Sequence, residues 1–289
     1  MDYLSTKYII IKMLGSGSFG SVWMAQDRLS DDIVAIKIED NKKIPRIINE
    51  NKIYCYLYKH GFGKGLPKTY KMIYTRDYNI MVMQMMGKNL EEMLNDYKRK
   101  FNLNTVFEIA VQIITLLQKL HTAGFIHRDI KPNNFMVDRD NTGIIYMVDL
   151  GLSKRYINKG KHIVFNDRKS LVGTARYASQ NMHMGIEPTR RDDLESVGYM
   201  LVYFLKGRLP WQGLIKKKSI NMLDQIFERK VCTSLEELCD GLPNCFIEYI
   251  DYCRKLKFDE EPDYEYMKDI FRDEYTKLNI KPKLEWTNK

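Results

Sequence analysis

The sequence predicts an α+β fold with two lobes, in which a small antiparallel β-sheet lobe with one main helix precedes a larger, mainly α-helical lobe. Strand-type patterning dominates up to about residue 83, whereas helical periodicity dominates beyond Gly87. A chain of 289 residues is also long enough to bury the cores of two lobes. We therefore divide the chain into residues 1–86 and 87–289, with a hinge near 84–88 where a ligand cleft is expected.

The first lobe consists of short apolar runs that are separated by polar or glycine-rich breaks. A helix is predicted around 45–60, where Pro45 suits the first turn. The strands are predicted at 8–14, 21–26, 32–38, 70–75 and 79–84.

The second lobe has the apolar spacing of amphipathic helices. Its longest helix is predicted over 104–124, where Gly124 ends the periodic run. Further helices are predicted at 89–100 and near 190–206, 219–230, 243–255 and 263–275.

The composition is that of an ordinary soluble globular protein, with 44% apolar and 29% charged residues. The amino terminus has no charged segment followed by a long apolar one, and no uninterrupted apolar run reaches about 18 residues. The five cysteines form no C-x-x-C pair, which favours free thiols in a reducing compartment. We therefore expect a cytoplasmic or nuclear protein with no membrane partner.

The formal net charge of +9 favours an anionic partner, which can be nucleic acid, lipid headgroups, a nucleotide or an acidic protein. The alternative is that the lysines only keep the surface soluble. The sequence lacks an aromatic–basic stretch of the kind that binds RNA and any DNA-reading motif, so we expect no direct nucleic-acid partner.

The segment GSGSFGSV, residues 15–22, has glycines at 15, 17 and 20. A glycine-rich hairpin turn can have this pattern for backbone reasons alone. The dinucleotide-binding fingerprint also matches, but it must open a helix, and here a β-type run follows. The remaining interpretation is a hairpin tip that lies over phosphates and offers them backbone N–H groups, with Val22 facing the base.

Lys37 ends the apolar run VAIK, and Glu50 lies on the predicted helix that follows. Each has an ordinary explanation, as a lysine whose head group reaches solvent and as a solvated helix glutamate. Together, after the glycine loop, they indicate a lysine that grips the α- and β-phosphates and a carboxylate that holds it in place.

The loop HRDIKPNN, residues 127–134, concentrates polar groups between two apolar runs. Asp129 is the candidate base for a substrate hydroxyl, and Lys131 is placed to offset charge on a transferring phosphate. The amide oxygen of Asn134 is a hard ligand that suits Mg²⁺. His127 and Arg128 are expected to shape the loop.

A β-type run then leads directly into Asp149-Leu150-Gly151. Its carboxylate is the candidate for the second metal position, bridging the β- and γ-phosphates, and Gly151 allows the sharp turn. The glycine loop, VAIK, helix glutamate, HRD-x-K-P-x-N and D-x-G, in this order and spacing, resemble a eukaryotic protein kinase. Lys131 is typical of the serine/threonine branch.

The second half of the chain resembles the casein kinase I family. The resemblance rests on residues 173–214, on Ser-Gln-Asn at 179–181 where most protein kinases have Ala-Pro-Glu, and on PDYEYMKDIFRD at 262–273. It extends from about Tyr8 to Trp286. The long carboxy-terminal tail common in that family does not follow, so we expect nearly a bare catalytic domain.

The resemblance implies a bilobal protein-kinase fold and a set of site residues. Met83 corresponds to the gatekeeper of the nucleotide pocket and residues 84–86 to its hinge. The implied catalytic residues are Asp129, Lys131, Lys37 and Glu50, and the implied metal ligands are Asn134 and Asp149. The implied nucleotide contacts are Leu14, Gly15, Ser16, Gly17, Ser18, Phe19, Gly20, Val22, Ala35, Lys37, Met83, Gln84, Met86, Met136 and Val148.

Two anion sites are also implied, since arginine and lysine suit phosphate. Arg128, Lys154 and Lys169 would converge on one anion, and Arg176 with the backbone of Gly213 would bind another. The chain departs from the family at Met222, where an ungapped alignment expects the lysine that completes the second site, and at Gln180, which replaces an isoleucine. Leucine replaces phenylalanine in the Asp-Leu-Gly motif, with little loss expected.

These features predict an ATP- and Mg²⁺-dependent serine/threonine protein kinase of the casein kinase I type. The resemblance implies acidic or already phosphorylated protein substrates and activity without phosphorylation of the activation loop. We expect a monomer. The alternative is a catalytically weak scaffold with a kinase fold, although such proteins usually lose at least one of Lys37, Asp129, Asn134 and Asp149. A small-molecule kinase is less consistent, because that group lacks the lysine at position 131.

Overall fold

A computed structural model describes residues 6–17, 20–42, 46–140, 142–216 and 220–287. The first lobe is a five-stranded antiparallel sheet with strand order β1-β2-β3-β5-β4, crossed by one helix, α1. Its elements are β1 (Tyr8–Gly17), β2 (Gly20–Asp27), β3 (Ile33–Asp40), α1 (Arg46–Lys59), β4 (Thr69–Tyr74) and β5 (Tyr78–Gln84).

The central strand β3 positions the residues of this lobe that matter most for function. Its apolar residues Val34, Ala35 and Ile36 are buried, because β2 and β5 pair with its two sides. In this register Lys37 lies opposite Val22 on β2 and opposite Met81 on β5. The lysine therefore leaves the sheet at the end nearest the glycine-rich hairpin.

The second lobe is mainly helical. Its helices are α2 (Leu90–Asp96), α3 (Leu103–Thr122), α4 (Gln180–His183), α5 (Arg190–Lys206), α6 (Met222–Cys232), α7 (Leu235–Leu238), α8 (Cys245–Lys255) and α9 (Tyr264–Leu278). Short strand pairs lie between α3 and α4, namely β6 (Phe125–Ile126) with β9 (Lys154–Arg155), β7 (Phe135–Val137) with β8 (Ile145–Met147), and β10 (Ile157–Asn158) with β11 (Lys161–His162).

Helices α3 and α5 form the centre of the helical lobe. Most of α5 is buried, and its start is fixed by a capping box in which Thr189 and Asp192 bond reciprocally. Within the described part of the chain, α3 is the one helix long and apolar enough to be considered as a membrane span, and 56% of that window is buried. It packs against α5 and α9, as the core helix of a folded lobe does.

The predicted architecture is confirmed: a small antiparallel lobe with one main helix precedes a larger helical lobe. Several boundaries differ from the prediction. The helix predicted at 89–100 ends at Asp96, because Lys98 and Arg99 adopt positive φ angles of 54° and 63°. The helix predicted at 219–230 begins at Met222, where the Asn221 side chain caps its first turn. Pro45 lies outside the described residues.

Candidate active site

Lys37 joins the two lobes through two carboxylates. Its Nζ lies 2.6 Å from Glu50 Oε2 on α1 and 3.0 Å from Asp149 Oδ1, which follows β8. Glu50 is almost fully buried, and the side chain of Asp149 remains 34% exposed toward the cleft. The three predicted residues are therefore in direct contact, with Asp149 as the member that a ligand can reach.

The charges of this trio are set by burial and by the shared lysine. Burial alone would lower the pKa of the Lys37 ammonium, but Glu50 and Asp149 outweigh it and raise the pKa. Burial raises the pKa of the Glu50 carboxyl to about 7, because one lysine does not fully offset the desolvation of two neighbouring carboxylates. Burial also disfavours charge on Asp149, but Lys37 outweighs it and lowers the pKa to about 2. Asp149 is thus ionised at neutral pH.

Glu39 holds the start of helix α1, a role that the sequence analysis missed. It is 2% exposed, and its carboxylate accepts hydrogen bonds from the backbone N–H groups of Arg46 at 3.3 Å and Ile47 at 3.1 Å. The first N–H groups of a helix have no partner inside the helix, and a carboxylate there also favours the helix dipole. Glu39 therefore connects β3, which carries Lys37, to the helix that carries Glu50.

The Asp129 carboxylate lies at the centre of the catalytic loop. It accepts hydrogen bonds from Lys131 Nζ at 2.6 Å and from Thr174 Oγ1 at 2.8 Å. Gly173 has a φ of 84°, and a Cβ atom there would lie 2.4 Å from Arg128 O, so only glycine allows this approach. Thr174 was not predicted as a site residue, and only its position directly after Gly173 could have indicated it.

The catalytic loop is anchored to the helical lobe by Asp193 on α5. Its carboxylate accepts from the backbone N–H groups of His127 at 2.7 Å and Arg128 at 2.8 Å, and it lies 3.0 Å from His121 Nε2. Arg128 adopts a positive φ of 69°, which these bonds hold. His127 is fully buried, consistent with its expected role in shaping the loop.

Asn134 and Asp149 offer oxygen ligands of the kind that Mg²⁺ prefers. The Asn134 amide nitrogen donates to Asp129 O at 2.8 Å and to Asp129 Oδ2 at 3.3 Å, which leaves its amide oxygen available as a ligand. The Val148 N–H donates to Asn134 O at 2.9 Å, so the residue before Asp149 is tied to Asn134. An ionised carboxylate and an amide oxygen on adjoining segments fit a magnesium site.

The residues predicted to contact a nucleotide lie on the facing parts of β1, β2, β3, β5 and β7. Ala35 and Met83 are paired across β3 and β5 and are buried, as is Met86 beyond the end of β5. Gly20 has a φ of 127°, and a Cβ atom there would meet Ile38 O at 2.0 Å.

The other members of this set are more accessible. Leu14, Gly15, Ser16 and Gly17 are exposed, whereas Val22, Gln84, Met136 and Val148 are half-buried. Ser18 and Phe19 lie outside the described residues.

The first predicted anion site contains an acidic residue that the sequence analysis did not anticipate. Glu187 is 4% exposed, and its two oxygens lie 2.9 Å from Lys154 Nζ and 3.2 Å from Lys169 Nζ. Burial would raise the pKa of Glu187, but the two lysines outweigh it and lower the pKa. Arg128 is directed to the backbone, since its Nε donates to Leu152 O at 2.7 Å.

The residues of the second predicted anion site lie on the segment after Thr174, on a bend at Gly213 and at the start of helix α6. The Arg176 guanidinium lies over the rings of Tyr177, at 5.8 Å, and Tyr203, at 5.9 Å. Gly213 has a φ of 70° and an open surrounding, and Met222 begins helix α6.

The family comparison agrees with this arrangement. A sequence model of the protein kinase domain matches residues 8–261, which is most of the chain and includes every predicted site residue.

Proposed function

Because the chain belongs to the protein kinase family, we propose that it is an ATP-dependent serine/threonine kinase of the casein kinase I type, acting on acidic or already phosphorylated proteins. The observation that carries this proposal is the Asp129 carboxylate, which is held between the Lys131 ammonium and the Thr174 hydroxyl. A hydroxyl group of a protein substrate would take its place beside the same carboxylate.

Bound ATP would supply the γ-phosphoryl group, and Mg²⁺ held by Asn134 and Asp149 would offset its charge. Asp129 orients the substrate hydroxyl and accepts its proton at a carboxylate oxygen. Lys131 lies 2.6 Å from that carboxylate, so its ammonium faces both the base and the place where phosphate charge develops. Lys37 would hold the α- and β-phosphates while Glu50, 2.6 Å from its ammonium group, keeps the lysine side chain in position.

Serine and threonine are proposed as acceptors because of Lys131 and Thr174. Both side chains donate to Asp129, so the carboxylate that would receive the acceptor hydroxyl is surrounded by polar groups. The resemblance to the casein kinase I family at residues 173–214 supports the same class.

Activity without phosphorylation of the activation loop is proposed from the position of Glu187. Its buried carboxylate supplies an anion to Lys154 and Lys169, as an added phosphate would in a loop that requires phosphorylation. Acidic substrates are proposed because of the +9 charge and the half-buried Arg176, which lies two residues after Thr174.

The test of the proposal is phosphate transfer to three peptides that differ only three residues before the acceptor serine, where they carry phosphoserine, aspartate or alanine. We expect transfer to the two anionic peptides in preference to the alanine peptide. Asp129→Asn should lower the rate by a factor on the order of 10² or more while nucleotide binding persists. Asp140→Asn, at an exposed aspartate in the following loop, is the matched control. Unchanged turnover in Asp129→Asn would contradict the assignment of the base.

A further inference from the structure

Lys230 on helix α6 is a buried lysine outside the site described above. It is 0% exposed. Lysine is rarely buried completely unless its ammonium group has specific partners. The partners of Lys230 therefore indicate what the residue does.

The Lys230 ammonium contacts the segment that follows Thr174. Its Nζ donates to Ala175 O at 3.1 Å and to Ala178 O. The Nε2 atom of His183, at the end of α4, lies 3.2 Å from Nζ and 3.1 Å from the same Ala175 oxygen. One side chain thus holds two carbonyl groups of residues 174–180, which we call the acceptor segment.

The same ammonium is packed between two aromatic rings that also belong to this anchorage. Its Nζ lies 4.9 Å from the Tyr199 ring and 5.0 Å from the Trp211 ring. Trp211 Nε1 donates to Arg176 O at 2.7 Å, so the ring that covers the lysine bonds the acceptor segment as well.

A further bond lies at the end of the segment. The Gln180 N–H donates to Glu195 Oε1 at 3.2 Å, and Tyr199 donates to the same oxygen at 2.5 Å. Glu195 is 1% exposed. The acceptor segment is therefore fastened to the helical lobe at Ala175, Arg176, Ala178 and Gln180, with Lys230 making two of these contacts.

The acceptor segment begins at Thr174, whose hydroxyl donates to Asp129, and it contains Arg176 of the second predicted anion site. We propose that Lys230 is a positioning residue that holds the acceptor segment against Asp129 and so sets the binding of the protein substrate, an inference that rests on the proposed function. Lys230 touches neither nucleotide nor acceptor, and it acts through the backbone of the segment.

The charge of Lys230 changes near neutral pH. Burial lowers its pKa to about 7. The groups that face it are Glu195 on α5, which favours the charge, Arg254 on α8, which opposes it, and His183 on α4, whose own pKa burial lowers to about 4. His183 is therefore neutral throughout the range in which Lys230 titrates.

The direction of the pH effect follows from linkage. A lysine that is released into water has its ordinary pKa of 10.5, so above pH 7 the open segment binds more protons than the closed one. The closed segment is therefore increasingly favoured as pH rises from 7 toward 10.5, and this gain is lost as pH falls back to 7, below which the equilibrium no longer depends on Lys230. The opening equilibrium should fall by up to about tenfold per pH unit in that window.

The experiment combines hydrogen exchange of the acceptor segment with steady-state kinetics of the full chain, in which Asp129 is unchanged. Exchange of the segment amides, corrected for intrinsic rates, should slow in the natural protein between pH 6.5 and 8.5, by roughly tenfold per unit at most. Lys230→Met should remove this dependence, expose the segment about tenfold more at pH 8, and raise the peptide KM roughly tenfold with the KM for ATP unchanged. Lys230→Gln keeps an N–H donor without charge and should restore part of the peptide KM, with no pH dependence.

Arg229→Met is the matched control, because Arg229 precedes Lys230 on α6 but forms an exposed ion pair with Glu237. A flat pH profile of segment exchange in the natural protein, or equal KM changes for ATP and peptide in Lys230→Met, would overturn the proposal. The natural protein provides the exchange result even where a variant does not fold. Exchange needs no catalysis, so a chain that phosphorylates none of the peptides refutes the proposed function while the exchange still decides the role of Lys230.

Discussion

Lys37 is largely buried, with 15% of its side chain exposed, and Lys230 is completely buried, but their surroundings differ in kind. Lys37 faces two carboxylates, and its pKa is raised. Lys230 bonds to two carbonyl groups and packs against a neutral histidine and two rings, and its pKa is lowered to about 7 because burial and Arg254 together outweigh the nearby carboxylate of Glu195. The comparison shows that the partner, not burial alone, sets the charge of a buried lysine: ionised carboxylates offset the desolvation that dipoles and rings offset only in part.

The different surroundings also suit the two lysines to different tasks. A permanent charge at Lys37 suits the binding of phosphates, whereas a charge that changes near neutral pH suits an attachment that can loosen. Substitutions at Lys37, Glu187 and Glu39 test this division of tasks.

Lys37→Met should have the largest effect, because it removes the permanent charge that faces the phosphates. We expect phosphate transfer to fall by a factor on the order of 10²–10³, with little change in hydrogen exchange of the acceptor segment. Single-turnover kinetics and exchange on the same preparation measure both. Loosening of the acceptor segment in this variant would show that the two lysines do not have separate tasks.

Glu187→Gln should have an intermediate effect. Lys154 and Lys169 then lose their shared carboxylate, and the segments that carry these two lysines should become less ordered. We expect kcat/KM for the peptide to fall roughly tenfold, because partly exposed ion pairs contribute modestly. Inorganic sulfate at millimolar concentration should restore part of the activity in this variant and not in Lys37→Met, since the anion can replace the carboxylate. No rescue by sulfate would contradict the role assigned to Glu187.

Glu39→Gln should have the smallest effect, because an amide oxygen can still accept one bond from the start of α1. The helix carrying Glu50 loses the charged cap, which is worth about 0.5–2 kcal/mol at a helix start. We expect a rise of a few fold in the KM for ATP with the peptide KM unchanged, measured by steady-state kinetics. Glu39→Ala should give a larger change of the same sign, and a change confined to the peptide KM would contradict this role.

Much of the fold could be predicted, since period-2 runs before Met83 and period-3.6 runs after Gly87 reflect which faces are buried. The catalytic loop was also predictable, because Asp129, Lys131 and Asn134 lie within six positions of one another. Helix ends were less predictable. The helix predicted at 89–100 ends at Asp96 because Lys98 and Arg99 adopt positive φ angles, and no glycine in the sequence marks that turn.

The partners of the site residues could not be predicted from local patterns. Thr174 lies 45 positions from Asp129, and Ala178 lies 52 positions from Lys230. Glu187, Glu39 and Lys230 each look like an ordinary charged residue in their own stretch of sequence, and only packing shows that Glu187 neutralises two lysines predicted for an anion.

The two-lobed fold, the membership of the protein kinase family and the chemical groups available for phosphoryl transfer can be derived from the amino-acid sequence. Which charges are shared, capped or left to titrate depends on tertiary packing. The physical reason is that apolar periodicity and motif spacing are local properties of the chain, whereas the free energy of a buried charge depends on every group that the fold brings around it. Lys37 and Lys230 are the same residue type, and only the structure distinguishes them.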